Sequence, residues 1–413
     1  MTLDDRSRPR RVLLIGGKPD GALDGLADLG AEVVCVGLPK HVRSASRRRG
    51  VVRAVGVDDP ANVEDVLLAL RRDEVDLDQF DVAASGLEYG LVAAAVIGEL
   101  CGARAIPVAT AVLLRDKHAQ KSAVRRGGIP APRSCPFLAP AALADAIDAV
   151  GGLPAVVKPA AGAGARDTTV LRSGADVDLW RERNEAHPWL CEEFVAGPEL
   201  HLDGVVRNGR PAALAASRYF ANMVDVQNGA LSGSALIPER DEPEVHQKAW
   251  HLAAAVTEAL AFTDGVFHLE VFEQPDGSLV FSECAGRVGG SRIDDMVRLG
   301  CGLDLHREWA AAAVGADRPP VPVRADGPDA VVGCLDLHAP QGQIIGMPSV
   351  EEIVVQSGVV QAELKLRVGS RMTAVQDTNT RAGRAVLTGS TFEQVQERSA
   401  ELARWFLENT TVS

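Results

Sequence analysis

The chain is poor in lysine. Positions 18, 40, 117, 121, 158, 248 and 365 hold 7 of its 43 basic residues, and arginine makes up the other 36. Codon preference accounts for the total but not for the placement. A lysine carries a compact charge on a flexible stem, which the planar arginine fork does not reproduce. Large basic blocks are also missing, and the net charge is −13, which argues against a nucleic-acid partner. The short run Arg47-Arg48-Arg49 reads as solvated surface. The seven cysteines are scattered without a CxxC pair, so neither a disulfide framework nor a zinc site is indicated. Reduced thiols in a cytoplasmic protein are expected. The opening MTLDDRSRPRR lacks the apolar core of a signal peptide. No charge-free apolar stretch reaches the ~18–20 residues of a membrane span. The GGKPDG segment at 16–21 is not a GxGxxG fingerprint, and no GK[ST] loop is present.

What is present is ample core material. Hydrophobic residues make up 46% of 413 positions, enough for roughly two to four domains at ~100–200 residues each. Apolar runs at 11–17, 31–37, 51–57 and 81–86 alternate with helical stretches. This predicts parallel βαβ units in a small doubly wound α/β domain. DKHAQKSAVRRGGIPAP at 116–132 reads as a helix stopped by glycines and prolines. Further helices are expected at 141–150, 249–261 and 391–407. A Pro-rich break at 317–328 sets off the last stretch of chain.

GVFHLEVFEQPDGSLVFSEC at 265–284 predicts a β-hairpin. A two-residue Asp276-Gly277 turn places Glu270 opposite Glu283. Two like charges facing each other in a sheet are destabilising. A divalent cation with oxygen ligands offsets that, and Mg²⁺ commonly takes one or two carboxylates plus substrate phosphates; two solvated glutamates on an exposed face are the other reading. Arg287 falls on the same strand face as Glu283, either to bridge a phosphoryl or carboxylate oxygen or simply to pair at the surface. Lys158 ends an apolar strand and precedes a small-residue loop. There Gly162 and Gly164 let backbone N–H groups approach phosphates; a strand-end lysine beside a floppy loop fits as well. In CEEFVAGPEL, Glu192, Glu193, Phe194 and Val195 could form a slot for a flat base, and Glu199 could accept from ribose hydroxyls. Taken alone, this segment is only an acidic strand and turn. His268 lies two residues before Glu270 on the same face. It could bind substrate, assist amine deprotonation, or serve as a packed structural histidine.

Taken together, GLEYG (86–90), DKHAQK (116–121), VVKPAAGAGARD (156–167), CEEFVAGPEL (191–200) and FHLEVF…FSECAGRVGG (267–290) resemble the ATP-grasp superfamily over roughly residues 10–400. Within it the chain is most similar to carboxylate–amine ligases that join amino acids. The resemblance implies an N-terminal α/β domain (1–115), a small ATP-grasp subdomain (116–190), a large subdomain with the metal hairpin (191–320) and a C-terminal α+β lobe (321–413). It implies that Lys117 and Lys158 contact ATP phosphates, with Lys158 also reaching the adenine. Glu192 and Val195 would line the adenine slot, Glu199 would hold the ribose, and Gly162 and Gly164 would close over the triphosphate. Glu270 and Glu283 would bind Mg²⁺, with Mn²⁺ as an alternative. Arg287 would contact the reacting phosphate or carboxylate. Glu88, His268, Ser291 and Arg292 would face substrate. One departure stands out: many members read Glu-x-Asn-x-Arg, and here Ala285 replaces the Asn, so it offers no ligand to a second metal.

The implied chemistry is ATP-dependent joining of small amino acids through an acyl phosphate, with release of ADP and phosphate. The partners implied are small-molecule amino acids. Dimers are common among relatives. A carboxylase of the biotin-carboxylase or purine-pathway type is the nearest alternative, although no biotin-attachment segment is seen. Ala285 alone favours a catalytically silent nucleotide-binding regulator. A dehydrogenase reading fails on the missing glycine fingerprint.

Overall fold

The computed structural model describes residues 8–16, 20–162, 164, 166–316, 330–374 and 380–413. Part of the GGKPDG segment and the expected boundary at 320/321, with its Pro-rich break, lie outside them.

The first sheet is parallel, in the order β3-β2-β1-β4, from β1 (Arg11–Ile15), β2 (Glu32–Gly37), β3 (Val51–Gly56) and β4 (Val82–Ala84). The reason β1 reads as an unbroken apolar run is that both of its faces are covered. Val12 and Leu14 enter one core, while Leu13 and Ile15 enter another. The helix Asp20–Asp28 crosses the helix Leu305–Val314 closely. A Cβ added at Gly21 would sit 2.3 Å from the His306 ring, and one at Gly25 would sit 2.9 Å from the His306 carbonyl oxygen. These two small residues, one turn apart, set how near the N-terminal layer lies to the rest of the chain.

A small antiparallel sheet follows, in the order β5-β8-β6-β7, from β5 (Ser134–Phe137), β6 (Ala155–Pro159), β7 (Thr169–Leu171) and β8 (Trp189–Glu193). Trp180 and Trp189 meet edge to face in its core, with ring centroids 5.0 Å apart.

The remaining strands are β9 (Glu199–Arg207), β10 (Arg210–Tyr219), β11 (Gly233–Leu236), β12 (Gly265–Glu273), β13 (Leu279–Ala285), β14 (Val331–Leu337), β15 (Gly342–Gly346), β16 (Val359–Leu364), β17 (Arg371–Met372), β18 (Gly383–Gly389) and β19 (Thr411–Val412). Eight of them form one antiparallel sheet in the order β13-β12-β9-β10-β11-β14-β18-β16. The sheet therefore runs from the β12–β13 hairpin to the C-terminal strands without a break. A ribbon of β17-β15-β19 flanks it. Among the described residues no helix is long and apolar enough to cross a membrane.

The hairpin corrects one expectation. Its turn is not the two residues Asp276-Gly277, because Gln274 N donates to Ser278 O at 2.8 Å and Gly277 N to Gln274 O at 2.8 Å. Next to the turn Val271 pairs with Phe281, one step off the expected register. A bulge at Ser282 then restores it, so Glu270 does face Glu283. The bulge sits on an edge strand, where backbone groups need partners from outside the sheet. The helix Lys117–Arg126 supplies them. Lys121 Nζ donates to Ser282 O (2.5 Å), Gln120 Nε2 to Cys284 O (2.7 Å), and Cys284 N to Gln120 Oε1 (2.8 Å).

Candidate active site

A pocket opens between the small sheet and the hairpin end of the large one. Strand alternation decides what faces it. On β6, Val156 and Lys158 line the pocket while Val157 enters the small core. On β12, His268, Glu270 and Phe272 line it while Leu269 and Val271 are buried behind. On β13, Glu283 and Ala285 line it and Cys284 packs inward.

One end is apolar. Val156, Val170, Phe194, Val195, Met223 and Phe272 form walls suited to a flat ring. The turn after β8 that builds this slot depends on Gly197 (φ +123°): a Cβ there would lie 2.2 Å from Glu273 O. Beside the slot, Glu199 Oε2 accepts from Met223 N at 2.8 Å. Burial, then the charge of Glu270, pushes the Glu199 carboxyl up to about 8.

Cations and carboxylates alternate through the rest of the pocket. Lys117 Nζ lies 2.5 Å from Glu283 Oε1 and donates to Gly162 O at 2.8 Å. Gly162 and Gly164 both line the pocket. Glu192 forms ion pairs with Lys121 (2.8 Å) and Lys158 (2.8 Å). Burial disfavours the charge on Glu192, yet the two lysines hold it below the usual carboxylate range. Burial also opposes the Lys158 ammonium, but Glu192 and Glu283 outweigh it and push Lys158 above the ordinary lysine value. Glu283 is pulled down to about 2 against burial, by Lys117 first and Lys158 next.

Glu270 accepts from Tyr219 OH at 3.1 Å, and His268 Nε2 lies 3.4 Å from it. Against burial, His268 holds Glu270 below the usual range. Glu270 and Glu283 thus stand opposite each other as ionised oxygen donors on the pocket wall. Their neighbours offset the repulsion, and the pair suits a hard divalent cation. Ala285 lines the same wall and offers no ligand.

Behind His268 lies a fully buried chain of polar groups. His268 Nδ1 is 2.9 Å from Asp203 Oδ1, and His201 Nδ1 is 2.5 Å from Asp203 Oδ2. His201 Nε2 is 2.8 Å from Ser234 Oγ. The two histidines outweigh burial and keep Asp203 well below the usual carboxylate range. The ligand atoms of this trio lie within 4.8 Å of one another. Each imidazole nitrogen next to Asp203 is engaged by it, which satisfies a buried carboxylate without a metal.

Most of the expected residues therefore converge: Lys117, Lys158, Gly162, Gly164, Glu192, Val195, Glu199, His268, Glu270, Glu283, Arg287 and Ser291 all line one pocket. Two do not. Arg292 pairs with Asp295 and with Glu363 of β16 rather than lining it. Glu88 sits behind the wall, its oxygens taken by Arg115 Nη1 (3.2 Å) and Arg287 Nε (3.2 Å). It thereby orients Arg287 from outside the pocket lining. Lys121, one turn along the same helix from Lys117, also reaches the site from behind, its side chain 0% exposed. Its rarity as a lysine was the available signal. Asp203 and Arg115 gave none, since isolated charged residues are common.

No family model matches the chain. An L-arginine-specific L-amino acid ligase of Bacillus subtilis is 25% identical over 324 residues, which is 76% of either chain. Among solved structures, an L-amino acid ligase from Bacillus licheniformis superposes with a TM-score of 0.76 at 17% identity, over 98% of this chain and 100% of that one. A carboxyaminoimidazole ribonucleotide synthase from Aspergillus clavatus, complexed with ATP, gives 0.74 at 17% identity, over 96% and 99%.

Proposed function

We propose that this chain, which belongs to the ATP-grasp superfamily of carboxylate–amine ligases, joins small amino acids at the expense of ATP. The observation that carries the reading is the facing pair Glu270–Glu283, set among Lys117, Lys158 and Arg287 in one pocket with an apolar slot. That arrangement can hold a base at one end and a charged phosphoryl group at the other. The sequence likeness to an L-amino acid ligase supports amino acids as substrates.

The reaction runs in two steps. A substrate carboxylate oxygen attacks the γ-phosphorus of ATP; that P–O bond forms, the bond to ADP breaks, and an acyl phosphate results. The amine nitrogen of the second substrate then attacks the acyl carbon. The C–N bond forms, phosphate departs, and the amine gives up a proton. Glu270 and Glu283 would hold Mg²⁺, whose charge offsets that of the phosphates. Lys117, Lys158 and Arg287 position and neutralise the transferring group, so catalysis rests on placement and electrostatics. Purified protein given ATP, Mg²⁺ and pooled amino acids, arginine included, should release ADP and phosphate with a condensed product seen by mass. AMP and pyrophosphate instead would overturn the acyl-phosphate route. Release of ADP only with bicarbonate and an aminoribonucleotide would favour a carboxylase.

A further inference from the structure

The loop 286–292 leaves β13 and enters the helix Ile293–Cys301. It places Arg287, Gly290 and Ser291 on the pocket wall, on strands and turns other than those that build the apolar slot. Its last two residues, Ser291 (φ +52°) and Arg292 (φ +68°), both lie in the left-handed region. Residues with a Cβ disfavour that conformation, and two in succession persist only where their surroundings over-determine them. Arg292 opens the helix without a side-chain cap, and the local ties at the turn are the bond from Ile293 N to Gly290 O at 2.9 Å and the Arg292–Asp295 pair.

The C-terminal lobe holds it. Ser291 Oγ donates to Asp336 Oδ2 at 2.9 Å and accepts from Arg381 Nη1 at 2.6 Å. Arg381 Nη1 also reaches Asp336 Oδ1 at 2.7 Å, and Ser232 Oγ donates to Asp336 Oδ2 at 3.1 Å. Asp336 on β14 and Arg381 just ahead of β18 are 2% and 8% exposed. A second tie joins Arg292 Nη2 to Glu363 Oε2 on β16 at 2.9 Å. A buried ion pair contributes little net stability, because desolvation offsets most of the attraction. Its placement on a single loop hydroxyl is better explained by positioning.

We infer that Asp336 and Arg381 are positioning residues: through Ser291 they fix the loop that carries Arg287, and so shape the end of the pocket away from the apolar slot, where the amino-acid substrates would react. This rests on the ligase reading, and it gives the C-terminal lobe a part in the reaction although neither residue lines the pocket.

The test uses full-length Ser291→Ala, Arg381→Lys and Arg381→Met. Ser291→Ala leaves the Asp336–Arg381 pair in place, so it decides the matter even where Arg381→Met unfolds. Amide hydrogen exchange over 287–292 should quicken several-fold in Ser291→Ala, more in Arg381→Met and least in Arg381→Lys, while β12 stays protected. KM for the amino-acid substrate should rise several-fold, with KM for ATP within about twofold of wild type. Unchanged exchange in both Ser291→Ala and Arg381→Met overturns the inference, as does an equal rise in both KM values. Wild-type protein that turns over no amino-acid pool refutes the ligase reading instead, and the exchange result still decides whether the lobe holds the loop.

Discussion

Lys121 and Glu192 form an ion pair 2.8 Å apart in which the lysine side chain meets no solvent. The same ammonium donates to Ser282 O, the bulged residue of β13, at 2.5 Å. One side chain thus joins the strand that builds the base slot to the strand that sets the carboxylate pair. Burial lowers the Lys121 ammonium to about 8, despite Glu192, so it is still charged at neutral pH. Lys121→Met leaves Ser282 O without this partner and Glu192 with Lys158 alone. Breaking a buried pair from one side costs about 3 kcal/mol or more. Urea unfolding should report a loss of that order, and a fluorescent ATP analogue should bind at least about tenfold more weakly. Wild-type affinity in a folded Lys121→Met would show that the link is not needed for nucleotide binding.

Lys158 provides a sharper test of side-chain shape. Its Nζ sits 2.8 Å from Glu192 Oε2 in a nearly closed environment. Lys158→Arg keeps the charge but replaces a point donor with a planar fork. ADP release should fall by about tenfold or more, with a smaller change in melting temperature. Full activity would mean that charge alone suffices here.

Much of this was legible in the sequence, and the hairpin shows why the rest was not. A two-residue Asp276-Gly277 turn places Glu270 opposite Glu283, and that pairing holds only because the bulge at Ser282 compensates for a different turn. The turn itself was misread, because an edge strand can take up an extra residue wherever a neighbour satisfies its backbone. That neighbour is the helix Lys117–Arg126, whose contact with β13 is a tertiary fact that no local pattern encodes. The same limit applies to Glu88, which GLEYG marked out but which Arg115 and Arg287 occupy from elements 27 and 199 residues away. The parallel pairing of the N-terminal sheet, by contrast, follows from runs of apolar residues with helices between them.

Glu199 should make stability depend on pH in a defined direction. Its folded value of about 8 lies above the ordinary 4.5, so the folded chain keeps a proton that the unfolded chain releases. That contribution is fully present below 4.5 and is lost as pH rises through 8. Glu199→Gln removes the titration while keeping an acceptor for Met223 N. Urea unfolding between about pH 5 and about pH 8.5 should show wild type losing stability relative to Glu199→Gln. Parallel curves across that range would place the carboxyl proton elsewhere.

Glu283→Gln tests the proposed metal role of the Glu270–Glu283 pair without altering its shape. The amide keeps an oxygen on the pocket wall but removes the charge that faces Lys117 Nζ at 2.5 Å. Lys117 retains Gly162 O at 2.8 Å, so the glycine loop keeps its anchor and the fold should persist. With one carboxylate left, affinity for a divalent cation should drop, and Mn²⁺ binding followed by its paramagnetic signal reads this directly. ADP formation should fall by about 10²–10³, the range seen when one charge-stabilising group is removed from an active site. Tyr219 and His268 still accompany Glu270, so Glu270→Gln should disturb the fold more than Glu283→Gln does. Native Mn²⁺ binding together with native turnover in Glu283→Gln would remove the carboxylate pair from the chemistry altogether.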